Sequence, residues 1–171
     1  WGVSGSKKST LIALLLSHFG NFEHTGLPAS FRDTANSIEK LAFLAKDTVL
    51  AVDDLYPARE PRERAKLEGV LEHLSRNQGD RTGKGRMKAD TSLREGLPPR
   101  GLALCSGEIM PLSGSSLARN FVHKLQKGDI DLEKLTQVQA QKALLSQAMR
   151  GYLEWLAPQM EVLPGQLKEA F

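Results

Sequence analysis

An α/β fold built on a mostly parallel sheet is what this 171-residue sequence predicts, and three observations carry it. Apolar helical stretches alternate with short β-branched runs, as in chains that cross repeatedly from strand to helix. A Gly/Ser turn leads directly into the first apolar helix. Two of the short runs end in small polar or acidic residues, which is where a parallel sheet presents its chemistry. The expected architecture is a three-layer α/β/α sandwich.

The elements follow in order. After Ser9 the stretch "TLIALLLSHF" is apolar almost all round, as suits a helix packed between a sheet and other elements. Residues 34 to 46 put Ile38, Leu41, Ala42 and Ala45 on one helical face, with Asp33 or Thr34 as the cap. "TVLAVDDL" then reads as a buried parallel strand ending in acids. Leu67, Val70, Leu71 and Leu74 form the next helical stripe, with Pro61 acceptable in its first turn. "GLALCSGE" is a second buried strand with a polar end, and "NFVHKL" is a candidate third. Thr136-x-x-Gln139 has the form of a capping box, opening a helix through about Leu156.

Composition narrows the class. With 40% hydrophobic residues the chain can bury a substantial core as one domain. It shows no signal peptide and no apolar run near 20 residues, so no membrane contact is expected. Cys105 is the single cysteine and has no partner for an internal disulfide, which suits a reducing, cytoplasmic setting. The four histidines are scattered without metal-ligand spacing, so a metal would come only with a nucleotide.

Residues 2 to 10, "GVSGSKKST", nearly spell the phosphate-binding loop G-x-x-x-x-G-K-[ST], with Lys7 where the last glycine would stand. Counting from Gly2 makes Lys8 and Ser9 the candidate pair. The chemistry needs a tight loop whose N–H groups turn onto phosphate oxygens, a lysine on the β/γ-phosphates and a hydroxyl on Mg²⁺. Gly2, Gly5, Lys8 and Ser9 supply those parts, and the following helix adds its N-terminal dipole. Gly2, Ser4, Gly5, Ser6, Lys7, Lys8, Ser9 and Thr10 are therefore the candidate nucleotide-binding residues. An ordinary Gly/Ser turn before a buried helix would look the same on this segment alone. The strand expected to lead into the loop would precede Trp1, so its first strand reads as truncated and the sequence as a piece of a larger protein.

Two further signals fall on the same expected sheet edge. Val49 to Val52 deliver Asp53 and Asp54 to a strand tip, where Asp53 would hold Mg²⁺ with Ser9 and Asp54 would activate water. Solvent-facing aspartates at a strand end are the plainer alternative. "LALC" ends in Ser106, placed to sense the γ-phosphate or position water, although a turn-forming serine is common there. Three signals in this order favour a nucleoside triphosphatase.

Charge is concentrated. Between Arg76 and Arg100 stand Arg76, Arg81, Lys84, Arg86, Lys88, Arg94 and Arg100 against Asp80, Asp90 and Glu95, in a chain whose net charge is only +3. "GDRTGKGRMK" is broken by glycines and expected to be a flexible loop. Arg81, Lys84, Arg86 and Lys88 are the candidate nucleic-acid contacts, tracking a phosphate backbone without an aromatic to stack bases. A solvated charged loop is the competing reading, and Arg76 or Arg81 could instead face a neighbour's nucleotide.

The stretches "GVSGSKKSTLIALLLSHFG", "LAFLAKDTVLAVDDLYP", "RNQGDRTGKGRMKADTSLREGLPPRGLALCSGE" and "SLAR" resemble the ATPase domain of phage and mobile-element primase-helicase proteins, close to superfamily 3 helicases among the AAA+-like ATPases. The resemblance spans roughly residues 2 to 125, and a phosphate loop without its last glycine is frequent in that group. It implies ATP and Mg²⁺ as cofactors, with Lys8 and Ser9 on phosphate and metal, Asp53 and Asp54 as the acidic pair and Ser106 as a sensor. Arg119 then resembles an arginine finger or a sensor arginine; a finger acts in trans, and the resemblance implies a homo-oligomeric ring, of hexamer type, working on DNA. A finger of this kind is worth about 10³–10⁵ in rate; a surface arginine is the alternative for Arg119. Residues 1–125 are thus read as the ATPase core and 126–171 as its C-terminal helical extension. Two other classes use the same loop: a small-molecule kinase, with the arginine-rich loop as lid, and a nucleotide-binding assembly module without hydrolysis.

Overall fold

A computed structural model of the chain describes residues 1–87, 90–110 and 113–170. The elements are α1 (Lys8–Leu16), β1 (Ala29–Ser30), α2 (Ala35–Leu44), β2 (Val49–Leu55), α3 (Pro61–Asp80), β3 (Arg86–Met87), β4 (Leu93–Arg94), β5 (Leu102–Gly107), α4 (Gly114–Leu117), α5 (Leu132–Ala140), α6 (Ala143–Leu156) and α7 (Leu163–Ala170). The chain is a mixed α/β protein whose central sheet is parallel in the order β1-β2-β5.

β2 organises the interior because its alternating side chains serve two layers. Leu50, Val52 and Leu55 point into a cluster with Phe31, Ile38 and Ala42 and with Leu67, Val70, Leu71 and Leu74 of α3. Ala51, with no exposed surface, points the other way, where Ile12 and Leu16 of α1 close over it with Phe22 and Leu104 alongside. One helix therefore covers one face and two cover the other. Truncating the buried Leu67 to alanine would cost about 2–5 kcal/mol, the usual range for a core leucine.

The sheet also reaches the chain entering the Gly/Ser loop. Gly2 donates its N–H to the Gly107 carbonyl at 3.0 Å and bridges Leu125 in parallel, while the Leu125 N–H donates to Trp1 O at 2.7 Å. Trp1–Gly2 thus lies beside the end of β5 and bridges it to Leu125. "NFVHKL" contributes only this one bridge at Leu125, and Val122 to Lys124 form no regular strand. The crowding is severe: a Cβ on Gly2 would sit 2.1 Å from the Leu125 carbonyl oxygen.

Several caps follow the sequence. Thr34 accepts from the Ser37 N–H at 3.2 Å, and Pro61 stands at the start of α3. The C-terminal box does not form. Asp131 caps α5 instead, accepting from the N–H groups of Glu133 and Lys134, and Thr136 lies mid-helix with its hydroxyl donating to Leu132 O at 2.8 Å. A carboxylate two to three residues before those N–H groups is as good an acceptor as threonine and carries the charge the helix dipole favours. The helix expected through Leu156 is accordingly two, broken at Gln141.

The glycine-broken basic stretch carries more order than a loop. β3 and β4 pair antiparallel, Arg86 with Arg94 and Met87 with Leu93, and Asp90 accepts from the backbone and hydroxyl of Ser92 to make a local turn. Among the described residues no helix is long and apolar enough to cross a membrane.

Candidate functional site

The Gly/Ser loop is shaped by its backbone. Gly5 sits at φ +80° and Lys7 at φ 63°, ψ 22°, the left-handed region, immediately before α1 begins at Lys8. Lys7 therefore holds the conformation that the motif's glycine would adopt freely. For a residue with a Cβ this costs about 1–2 kcal/mol, so the substitution strains the loop without abolishing its turn. Ser6 is buried and donates to Val3 O at 2.8 Å, closing the loop from inside.

Lys8 spans the loop. Its Nζ donates to Gly2 O at 2.7 Å, Val3 O at 2.9 Å and Ser6 Oγ at 3.3 Å. Three oxygens around one ammonium fix a positive charge at the helix N-terminus, where α1 adds its own partial positive charge. Ser9 and Thr10 follow in the first turn.

Opposite the loop stand the carboxyl ends of β2 and β5. Ser106, buried at the end of β5, donates a short hydrogen bond to Asp53 Oδ1 at the end of β2. The hydroxyl thereby orients the carboxylate. The ladder between β2 and β5 shifts between Val52 and Leu55, and within that irregularity Asp54 takes a left-handed φ of 67°. Its carboxylate turns to Arg32 Nη2 at 3.0 Å, while that guanidinium lies over the Tyr56 ring.

Loop and strand tips enclose an open cleft of about 440 Å³. Ser4, Gly5, Lys7, Lys8, Ser9 and Thr10 line one side; Asp53, Asp54 and Ser106 line the other. Of the residues expected to bind nucleotide, Gly2 and Ser6 do not reach the cleft; they build the loop from behind. His24 and Glu108 also line it, and neither carried a signal in the sequence. Arg32 was equally invisible: nothing in "SFRD" announces that it faces an acid 22 residues away at another strand's tip.

The donor set suits a hard cation held with phosphates. Magnesium sites commonly take one or two protein oxygens and leave the rest to water and substrate. Ser9 and Asp53, which both line the cleft, are the residues that could supply such a pair. Among the described residues no group of three histidines, cysteines or acids forms a self-sufficient metal cage.

The remaining candidates lie elsewhere. Arg119 donates through Nε and Nη2 to Asp80 Oδ1 at 3.2 and 3.1 Å and through Nη1 to Ser115, at the C-terminus of α3. α3 starts beyond the carboxyl end of β2 and runs 20 residues, about 30 Å, so Arg119 is held far from this cleft. Arg81 donates to the carbonyls of Pro99 and Gly101, at the amino end of β5. Lys84 gives its backbone N–H to the buried Glu39 carboxylate at 3.0 Å and leaves its side chain exposed. Lys88 and the Arg86 side chain lie outside the described residues. Arg76 pairs with Glu72, and Arg100 lies 3.9 Å over the Phe43 ring. Cys105 faces the interior of β5, where burial pushes its thiol up to about 12 and keeps it unreactive.

Over residues 1–90, more than half its length, the sequence matches the family described as a domain of unknown function, DUF927, and the chain belongs to that family. The matched span contains the loop, Asp53, Asp54 and α3, and it ends before β5 and Arg119. No curated protein and no solved structure matches the chain.

Proposed function

We propose that this chain is the ATP-hydrolysing motor domain of a replicative primase-helicase of a phage or mobile element, acting on DNA as a homo-oligomeric ring. One observation carries the reading: a helix-opening loop with a fixed ammonium faces a Ser106-oriented carboxylate across a single cleft at the sheet's carboxyl edge. That combination can neutralise a polyphosphate on one side and share a cation with it on the other. Lys8 and the loop N–H groups bind the β- and γ-phosphates. Ser9 and Asp53 hold Mg²⁺, which supplies charge neutralisation when bound. Asp54 orients the attacking water once Arg32 releases it.

Arg119 acts in trans in this reading, from the far end of α3 toward a neighbouring subunit. Lys84, exposed just before β3, follows a nucleic-acid backbone in this reading. Against a kinase stands the position of the arginine-rich stretch, which is anchored at the amino edge of the sheet rather than over the cleft. A module that binds nucleotide without turnover remains the second reading, favoured by the Asp54–Arg32 pair, which engages the water-activating carboxylate.

Steady-state ATP hydrolysis by the protein, with and without single-stranded DNA and beside Lys8→Ala, tests the proposal. Turnover that rises with DNA and vanishes in Lys8→Ala is the expected result. ATP binding without turnover would select the second reading.

A further inference from the structure

A second cavity, of about 150 Å³, adjoins the cleft and shares Thr10 and His24 with it. Its floor is the outer face of α1, at Ala13 and Leu14, and Phe22 forms one wall. The opposite wall comes from the C-terminal segment: Gln139 of α5 and Lys142, whose ammonium is hydrogen-bonded to Glu23. Phe22 packs against the Ile12, Leu16 and Ala51 cluster, so its position is set by the core. The cavity thus combines an aromatic ring fixed by packing, an apolar floor, and an amide and an ion pair at its rim.

We infer that this cavity is the nucleoside subsite of the nucleotide site, with the base against Phe22, the sugar beside Thr10 and His24, and the base edge toward Gln139 and Glu23. The inference rests on the phosphate-loop reading and names what that reading leaves open, the groups that recognise the non-phosphate end. Thr10 lies in the first turn of α1, one residue beyond Ser9, and a ligand whose phosphates lie on Lys8 and Ser9 meets the cavity at its next step. Small-molecule sites typically span about 300–1,000 Å³, which the cleft satisfies and the cavity alone does not. Aromatic stacking is tolerant of base identity, so discrimination falls to the rim. Because that rim comes from α5 and Lys142, the helical extension acts as part of the binding site.

The test compares MgATP with magnesium tripolyphosphate, which has the phosphates and no nucleoside, by calorimetry on the full chain. Phe22→Ala should weaken ATP about 5- to 100-fold, the span of one lost base stack, and leave tripolyphosphate unchanged. Gln139→Ala, on an exposed helix surface, should weaken ATP about 2- to 10-fold, as for one lost hydrogen bond, again without effect on tripolyphosphate. If Phe22→Ala fails to fold, Gln139→Ala decides. ATP affinity unchanged in Gln139→Ala, or an equal loss for both ligands, overturns the subsite while the phosphate site stands. Wild-type protein that binds neither ligand overturns the phosphate-loop reading itself.

Discussion

The two ends of the central sheet carry positive charge in different ways. At the carboxyl end, Lys8 is held by three oxygens of its own loop, at the mouth of a cleft faced by Asp53 and Ser106. At the amino end, Arg81 is spent on the carbonyls of Pro99 and Gly101, and Arg100 on the face of Phe43. One end concentrates charge around a concavity, as a small anion requires. The other ties Arg81 and Arg100 into the fold and leaves Lys84 exposed, with Met87 and Leu93 exposed nearby. Charge count alone therefore misleads: part of the surplus between residues 76 and 100 is structural.

Substitutions separate the two ends. The largest effect belongs to Lys8→Ala, expected to lower ATP turnover about 10²–10³-fold, the usual consequence of losing one preorganised charge at a transition state; a melting curve like that of wild type would show that the loss is chemical. Gly2→Ala should destabilise the fold by about 1–3 kcal/mol through overpacking against Leu125, measured by denaturant unfolding. At the amino end, Lys84→Gln keeps the backbone bond to Glu39 and should reduce the salt slope of DNA binding by about one charge. Arg81→Gln should instead lower stability, because two carbonyls lose their donor; an Arg81 variant that alters only the salt slope would show that Arg81 serves binding and not the fold. Lys7→Gly should stabilise by about 1 kcal/mol, relieving the left-handed strain.

The smallest effect is on pH. The hydrogen bond and charge of Lys142 hold the Glu23 carboxyl below its ordinary value of 4.5. A depressed carboxylate contributes stability that is present above its unfolded value and lost as pH falls through its folded one. The tie between the Glu23 loop and α6 should therefore weaken only below pH 4.5, seen as faster amide exchange in α5 and α6.

What the sequence made legible was local. The stripe Leu67, Val70, Leu71 and Leu74 is buried along α3, and "TVLAVDDL" is the central strand, because periodicity and β-branching respond to burial directly. Asp53 and Ser106 meet because parallel strands in register bring their tips together, which strand identity alone implied. Arg32, His24 and Glu108 reach the cleft through the path of the chain between elements, and no local pattern encodes that path. The C-terminal helices show the converse limit. α6 is amphipathic by sequence, yet Tyr152, Leu153 and Trp155 are exposed, since periodicity specifies a helix and an apolar face but not what covers it.

In the proposed function the cleft between the loop and the tips of β2 and β5 takes a nucleoside triphosphate. Calorimetric titration of ATP into wild type, Lys8→Ala and Asp53→Asn, each with and without Mg²⁺, tests it most directly. Wild type should bind ATP saturably, with affinity weakened at least about tenfold by loss of the ammonium and a magnesium enhancement that disappears in Asp53→Asn. Binding that is absent from wild type, or indifferent to Lys8, would contradict it.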